Sequence, residues 1–303
     1  MPDRDGEHDV GIIGVGAMGG AMAECLLRKG HRVVVRDLIA ERVDALVRLG
    51  AEPAASAADV ARKSRLVMTV VVDAEQTDAV LFGIEGDRGV AASVPPGTIV
   101  VMCSTVAPEY ASSLAGRLAE RNLALIDAPI SGGPQRARDG ALSMMAAAAP
   151  ETLARAQPVL AAVASRLFTV GSQPGQGSAM KVVNNMLAAT NLAAAAEAMA
   201  LAEKLGMDLA LAQDVINASS GGSWIFADRM PRALARDYAP PRAAAKILAK
   251  DMRLALDVAQ AAGAAVDVAR AAQQAYNGAL AQGLGEADDA ALIEYYRARN
   301  DKR

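Results

Sequence analysis

The chain has 303 residues, of which 52% are hydrophobic and 21% charged, so it can bury a sizeable core and does not have the composition of a disordered protein. Its formal net charge is −3, and its 31 Lys and Arg are scattered rather than gathered into a basic stripe, which argues against nucleic acid as a partner. The polar, acidic start "MPDRDGEHDV" lacks an apolar region behind a basic one, so no signal peptide is expected.

Along the first half, short apolar, β-branched runs appear at "DVGIIGVG", "HRVVVRD", "RLVMTVVVD", "GTIVVMCS" and "LALIDAPI". Helix-length segments lie between them, at 17–29, 40–49, 75–82 and 107–121. Runs that are apolar nearly throughout predict strands covered on both faces, and their alternation with helices predicts a doubly wound α/β sheet of Rossmann type. Two more strand-like pieces, "LSMMAAA" and "RLFTVG", flank a helix near 151–163.

After "GSQPGQG" the texture changes. From about residue 177 to Leu205 alanine, leucine, methionine and asparagine dominate, and a helix of that length would run roughly 44 Å. Its run "MLAATNLAAAAEAMALA" is interrupted by Asn191 and Glu197 and reads as a packed helix, not a membrane span. Gly206 is a plausible stop, and helical stretches follow at 208–218, 223–236, 241–262 and 265–282 with no convincing strand. The expected organisation is a dinucleotide-binding domain over 1–174 and an all-α domain over 175–303, entered through a long interdomain helix. Cys25 and Cys103 show no pairing pattern and read as small buried thiols in a reducing compartment, which makes the cytoplasm the expected location.

"GIIGVGAMGGAM" sets Gly14, Gly16 and Gly19 in G-x-G-x-x-G spacing after an apolar strand and ahead of a helix. The first glycine permits a tight turn, the second lets backbone approach a pyrophosphate, and the third allows close helix–strand packing. Ala17 and Met18 then stand at a helix N-terminus, where free N–H groups and the positive dipole end favour phosphate. Asp37 ends the second strand about 20 residues on, where an acid accepts hydrogen bonds from the adenosine ribose. Its charge would repel a 2′-phosphate, so NAD is expected over NADP, although Arg36 and Arg42 nearby could serve NADP.

Several segments together resemble the β-hydroxyacid dehydrogenases, the 3-hydroxyisobutyrate dehydrogenase-like family: "GVGAMG", "CSTVAP", "DAPISGGPQRARDGALSMM", "GQGSAMKVVNNMLAATNLAAAAEAMALAEKLGMD" and "KDMRLALDVA". They stand in the family's order over residues 10–265 or so, and "SSGGSWIFADRMP" resembles its L-threonate dehydrogenase branch. The resemblance implies that Lys181 is the catalytic lysine and Asn185 its partner on the same helix. It also implies that Ser131, Gly132 and Gly133 bind substrate, that Thr105 lies close to the nicotinamide, and that Lys250 reaches the cofactor. Many relatives carry Leu-Pro where this chain reads Val71-Val72-Asp73; backbone contacts to the cofactor can survive that change. Dimers and tetramers are usual in the family, so a homodimer or homotetramer is expected.

The chemistry suits these residues. As hydride leaves an alcohol for nicotinamide, the hydroxyl must lose a proton. A lysine can accept it if burial and a nearby positive charge lower its pKa from about 10.4, and its ammonium can donate in the reverse direction. Lys181 and Asn185 are spaced i, i+4 and share a helix face, while the alternative for Lys181 is a snorkelling surface charge. Glycine N–H groups and the Ser131 hydroxyl would cradle a substrate carboxylate, or form an ordinary turn. Ser104 or Thr105 could equally cap the next helix, Lys250 could pair with Asp251 on a solvated face, and Trp224 and Phe226 could wall a pocket or fill a core. His8 and His31 are not placed to shuttle protons, and no cluster has metal-ligand spacing. The expected activity is oxidation of a short hydroxy-carboxylate, L-threonate-like or 3-hydroxyisobutyrate-like. The alternatives are reduction of tartronate semialdehyde or another aldehyde acid, and a non-catalytic dinucleotide sensor.

Overall fold

A computed structural model describes residues 9–84, 88–92, 94–95 and 97–301; the polar start, with His8, lies outside them. The chain divides into two compact units, residues 1–181 and 182–303.

The first unit carries β1 (Asp9–Ile13), α1 (Ala17–Arg28), β2 (Arg32–Arg36), α2 (Ala40–Val47), β3 (Glu52–Pro53), α3 (Ala57–Lys63), β4 (Leu66–Thr69) and α4 (Ala74–Phe82). It continues through β5 (Ile99–Met102), α5 (Pro108–Ala119), β6 (Ala124–Asp127), β7 (Ile130–Ser131), α6 (Gly133–Arg138), β8 (Leu142–Ala147), α7 (Pro150–Val163) and β9 (Ala164–Gly171) to the start of α8 (Gln176–Lys204). The nine-stranded sheet runs in the order β3-β2-β1-β4-β5-β6-β8-β7, with β9 on β8. Strands β1 to β6 are parallel, whereas β8 runs antiparallel to both β6 and β7.

Side-chain alternation explains the two layers of core. On β5, Ile99 and Val101 join one buried cluster with Val10, Ile12 and Met68, while Val100 and Met102 join the other with Ile13, Val34 and Val67. Pro53 is tolerated because β3 is the edge strand and owes no donor on its outer side. The strand order reverses between β1 and β4, which opens a crevice at the carboxyl ends of those strands.

The 29 residues of α8 end as glycine-terminated helices do. Gly206 takes φ +72°, and the Met207 N–H donates to the Ala202 carbonyl at 3.1 Å. The second unit adds α9 (Leu209–Asn217), α10 (Trp224–Ala235), α11 (Ala245–Ala261), α12 (Asp267–Ala281) and α13 (Leu292–Asn300). Its core gathers Leu192, Met199, Phe226, Met230, Met252 and Tyr276, and the Tyr276 hydroxyl donates to the Ala189 carbonyl at 3.0 Å. Among the described residues no helix is long and apolar enough to cross a membrane.

Several short segments escaped the sequence reading, among them β3, α3, α6 and α13. Helix α3 is capped by the Ser56 hydroxyl, which accepts from the Asp59 N–H at 3.1 Å, and α13 buries only Leu292 and Ile293.

Below the second core lies a buried ionic knot. Arg232 donates to Asp288 at 2.5 Å, to Asp237 at 3.2 Å and to the Pro240 carbonyl at 3.2 Å. Asp288 also accepts from the Arg242 N–H at 2.7 Å, so removing the guanidinium strands a buried carboxylate. Arg232→Ala is expected to cost about 3–5 kcal/mol in chemical denaturation. Arg236→Ala, at an arginine whose side chain is 65% exposed, should cost under about 1 kcal/mol. Equal losses would show that the knot has no special weight.

Candidate active site

The glycine loop follows β1 directly, and its backbone leaves no room for side chains at two positions. Gly14 takes φ +90°, and a Cβ there would lie 2.6 Å from the Val70 carbonyl oxygen and 2.9 Å from Val71 Cγ1. At Gly19 it would lie 2.0 Å from the Gly14 carbonyl oxygen, so α1 packs against the loop it follows. A Cβ on Gly16 would meet only Arg42 Nη1, at 3.7 Å, and Gly16 sits at the N-cap of α1, whose first turn, with Ala17 and Met18, holds no acid. An uncovered helix start with bare N–H groups fits a pyrophosphate.

Asp37 closes the loop from β2. Its Oδ2 accepts from the Val15 N–H at 2.8 Å and its Oδ1 from the Ile39 N–H at 2.9 Å. A carboxylate has lone pairs to spare after two bonds, so it can still receive a ribose hydroxyl. Arg42 Nη1 stands 3.5 Å from Oδ1, and the Arg36 guanidinium donates to the Asp37 carbonyl. Beside them lies a cavity of about 240 Å³ walled by Arg36, Asp37, Leu38, Val43, Asp44 and Ala55. Val71 is half-buried against the loop, and Val72 is more exposed, its N–H donating to Gln76 Oε1 at 3.1 Å.

The other first-unit residues stand at the same carboxyl edge. Thr105 is half-buried just beyond β5; the N-cap of α5 is Ala107, followed by Pro108, and the Ser104 hydroxyl accepts from Thr77 at 3.1 Å. Capping of α5 by Ser104 or Thr105 is therefore not what the fold uses. Ser131 ends β7, and Gly132 and Gly133 turn into α6 with φ +132° and +78°. A Cβ on Gly133 would meet nothing within 4 Å, so that backbone is open to a ligand.

Lys181 lies one turn inside α8 and is only 7% exposed, while its neighbours Met180 and Val183 are 46% and 57% exposed. It is not a snorkelling surface charge. The turn before it is held by Asp127, a fully buried acid at the end of β6 to which the sequence reading gave no role. Asp127 Oδ2 accepts from the Gly175 and Ser178 N–H groups, both at 2.8 Å, and Oδ1 accepts from the Ser178 hydroxyl at 2.8 Å. Burial pushes the Asp127 carboxyl up, against the pull of those donors. The Cys103 thiol nearby is pushed up to about 12 by burial and then by the Asp127 charge, so it stays protonated and is no nucleophile.

The second unit has its own polar cluster. Asn185 Nδ2 donates to Asp251 Oδ2 at 2.7 Å, and Lys250 Nζ lies 2.8 Å from Asp251 Oδ1. The pairing of Lys250 with Asp251 therefore exists, but Asp251 is 5% exposed and the face is not solvated. Asn185 Oδ1 accepts from Asn184 at 3.0 Å, which fixes which way its amide points. Of the two rare aromatics, Phe226 belongs to the core and Trp224 is 58% exposed. Among the described residues no group of His, Cys, Asp and Glu could hold a metal ion.

Comparison with known proteins agrees with this geometry. Residues 9–171 match the NAD binding domain of 6-phosphogluconate dehydrogenase, and residues 175–296 match the NAD-binding family of NADP-dependent 3-hydroxyisobutyrate dehydrogenase. An L-threonate dehydrogenase of Cupriavidus necator is 41% identical over 233 residues, 77% of each chain. The chain belongs to the β-hydroxyacid dehydrogenase family. A 3-hydroxyisobutyrate dehydrogenase of Pseudomonas aeruginosa is 36% identical over 71% of each chain. The crystal structure of one from Salmonella typhimurium superposes with a TM-score of 0.88 at 37% identity, covering 94% of this chain and 99% of that one. As a member of the family the protein is an NAD(P)-dependent hydroxyacid dehydrogenase that uses NAD.

Asp37 holds the loop through the Val15 N–H, and its substitution tests whether the same charge selects the cofactor. Asp37→Ala should loosen the loop for either dinucleotide but lift the repulsion only for the 2′-phosphate, with Arg36 and Arg42 already at hand. The ratio of NADPH to NADH affinity, measured by fluorescence titration, is expected to rise about tenfold or more. An unchanged ratio would overturn the role given to Asp37.

Proposed function

We propose that this dehydrogenase oxidises a short hydroxy-carboxylate, L-threonate ahead of 3-hydroxyisobutyrate, with Lys181 as the general acid/base. The observation that carries the reading is a lysine buried one turn inside a helix, at 7% exposure. A buried ammonium is costly to keep and is seldom retained for solubility. The 41% identity to an L-threonate dehydrogenase supports the order of substrates.

In the forward direction Lys181 Nζ takes the hydroxyl proton while the hydroxyl-bearing carbon loses its hydride. Nicotinamide, when bound, supplies the hydride acceptor. The product is the carbonyl compound, and one proton leaves through the lysine, so charge and electrons balance. In the reverse direction the ammonium polarises the carbonyl and returns the proton. Ser131 and the N–H groups of Gly132 and Gly133 would receive the substrate carboxylate, through an open backbone that a side chain would obstruct. Thr105 and the Val71–Val72 backbone are assigned to the cofactor. Lys250 is assigned to it as well, and Asn185 to substrate, its amide already oriented by Asp251.

Lys181→Ala should lower kcat/KM for L-threonate by about 10²–10⁴-fold and leave NADH affinity within about twofold. A panel of three- to six-carbon hydroxy acids, read at 340 nm with NAD and NADP, tests substrate and residue together. Normal turnover in that variant would sink the lysine assignment. NADH binding without turnover of any panel member by the unmodified protein would favour a sensor.

Self-association belongs to the same reading. Val183, Leu187 and Leu201 along α8, and Leu205 just past its end, are each more than half exposed, an apolar stripe that a second copy of the chain would cover. Sedimentation is expected to give a dimer or tetramer; a monomer throughout the micromolar range would contradict this.

A further inference from the structure

We propose that Asp127 is the positioning residue of this active site, the group that fixes the first turn of α8 and hence the point from which Lys181 reaches the substrate. The inference rests on the assignment of Lys181 as the proton-transferring group.

The first N–H groups of a helix have no partner within it, and a residue at the helix start usually supplies one. Where other helices of this chain carry a side-chain cap, it comes from their own N-cap position, as with Asp208 at α9 and Ser223 at α10. At α8 the partner comes from 48 and 51 residues away. The Ala179 N–H donates to the Gly175 carbonyl, so Gly175 stands at the N-cap and Ser178 at the third helical position. Those are the two N–H groups that a reciprocal capping box satisfies with two side chains. Here one carboxylate oxygen takes both, and the Ser178 hydroxyl takes the other oxygen.

The seat is tight as well as polar. A Cβ on Gly177 would lie 2.5 Å from the Asp127 carbonyl oxygen and 2.6 Å from that of Met145. Gly175 takes φ +104°, and a Cβ there would lie 2.3 Å from Ser112 Oγ. The helix start therefore rests directly on the end of β6 and on Met145 within β8. Lys181 is three residues past Ser178, an axial rise of about 4.5 Å. Ser131 is four residues past Asp127 along the chain, so the strand end that holds the first turn of α8 also leads into the SGG loop. A local cap would end the helix equally well without making that connection. What Asp127 adds is registry, and a misplacement of about 1 Å costs a dehydrogenase far more in turnover than in stability. Its negative charge lies beneath the start of the helix that carries Lys181, while the Cys103 thiol beside it stays neutral.

Two substitutions separate place from charge. Asp127→Asn can keep the geometry, its amide oxygen facing the two N–H groups and its NH₂ facing the Ser178 hydroxyl, but it removes the charge. Asp127→Ala removes both. Kinetics with L-threonate, or whichever panel acid the unmodified enzyme prefers, should give a kcat at least about tenfold lower for Asp127→Ala, with NADH affinity unchanged. Asp127→Asn should recover most of that kcat, with the basic group of its pH–rate profile displaced to lower pH. Ser178→Ala, which keeps both N–H bonds, should lose only a few-fold and serves if Asp127→Ala does not fold. An unmoved pH profile in Asp127→Asn, or full kcat in Asp127→Ala, would overturn the proposal. If Lys181→Ala is inactive while the Asp127 variants are normal, this inference alone fails; if Lys181→Ala is active, the parent reading fails.

Discussion

Backbone at the carboxyl edge of the parallel strands packs too closely to admit side chains, and the arrangement of the site follows from that. Gly14 lies against the end of β4, Gly19 against Gly14, and Gly177 against the end of β6 and Met145 of β8. Each contact brings a helix start to the sheet edge with its N–H groups unspent. At α1 they are left for a pyrophosphate; at α8 they are consumed by Asp127. One geometric device thus makes both a binding site and a rigid mount.

Much of this was legible in the sequence. The apolar runs predicted the parallel strands because burial on both faces leaves no alternation to read, and the Rossmann order follows from their spacing with helices. Helix α8 was marked by the gap between Gly177 and Gly206, and its observed span of 29 residues matches that gap closely. The short α3 was missed although Ser56 and Asp59 carry a capping signal, because seven residues show too little periodicity. Helix α13 was missed because a mostly polar segment that buries two side chains has no stripe to detect.

The polar contacts of the site were less legible, for a reason of distance along the chain. Lys181 could be marked as a candidate, but its burial depends on tertiary packing. Asp127 meets its partners across 48 and 51 residues, and Asp251 meets Asn185 across 66. No local pattern encodes such pairings. An acid closing an apolar strand, as in "LALIDAPI", was the one available signal: a carboxylate there must find donors or forfeit several kcal/mol.

Asp37 and Asp127 do related work under different electrostatics. Both end a parallel strand, and both accept backbone N–H groups of a loop that must hold its shape. Asp37 has Arg42 beside it, so its charge is shared with a cation although its side chain is only 9% exposed. Asp127 is held by neutral donors inside the sheet edge, and burial pushes it up in spite of them. The helix start supplies the compensating positive potential, as a set of dipoles rather than a mobile ion. Dipoles fixed in a helix act in one direction only, so the charge and the helix hold each other in register. An arginine in their place would keep rotamers of its own and give a looser mount. The sheet edge thus balances one strand-end carboxylate with a cation and the other with the dipoles of a helix start.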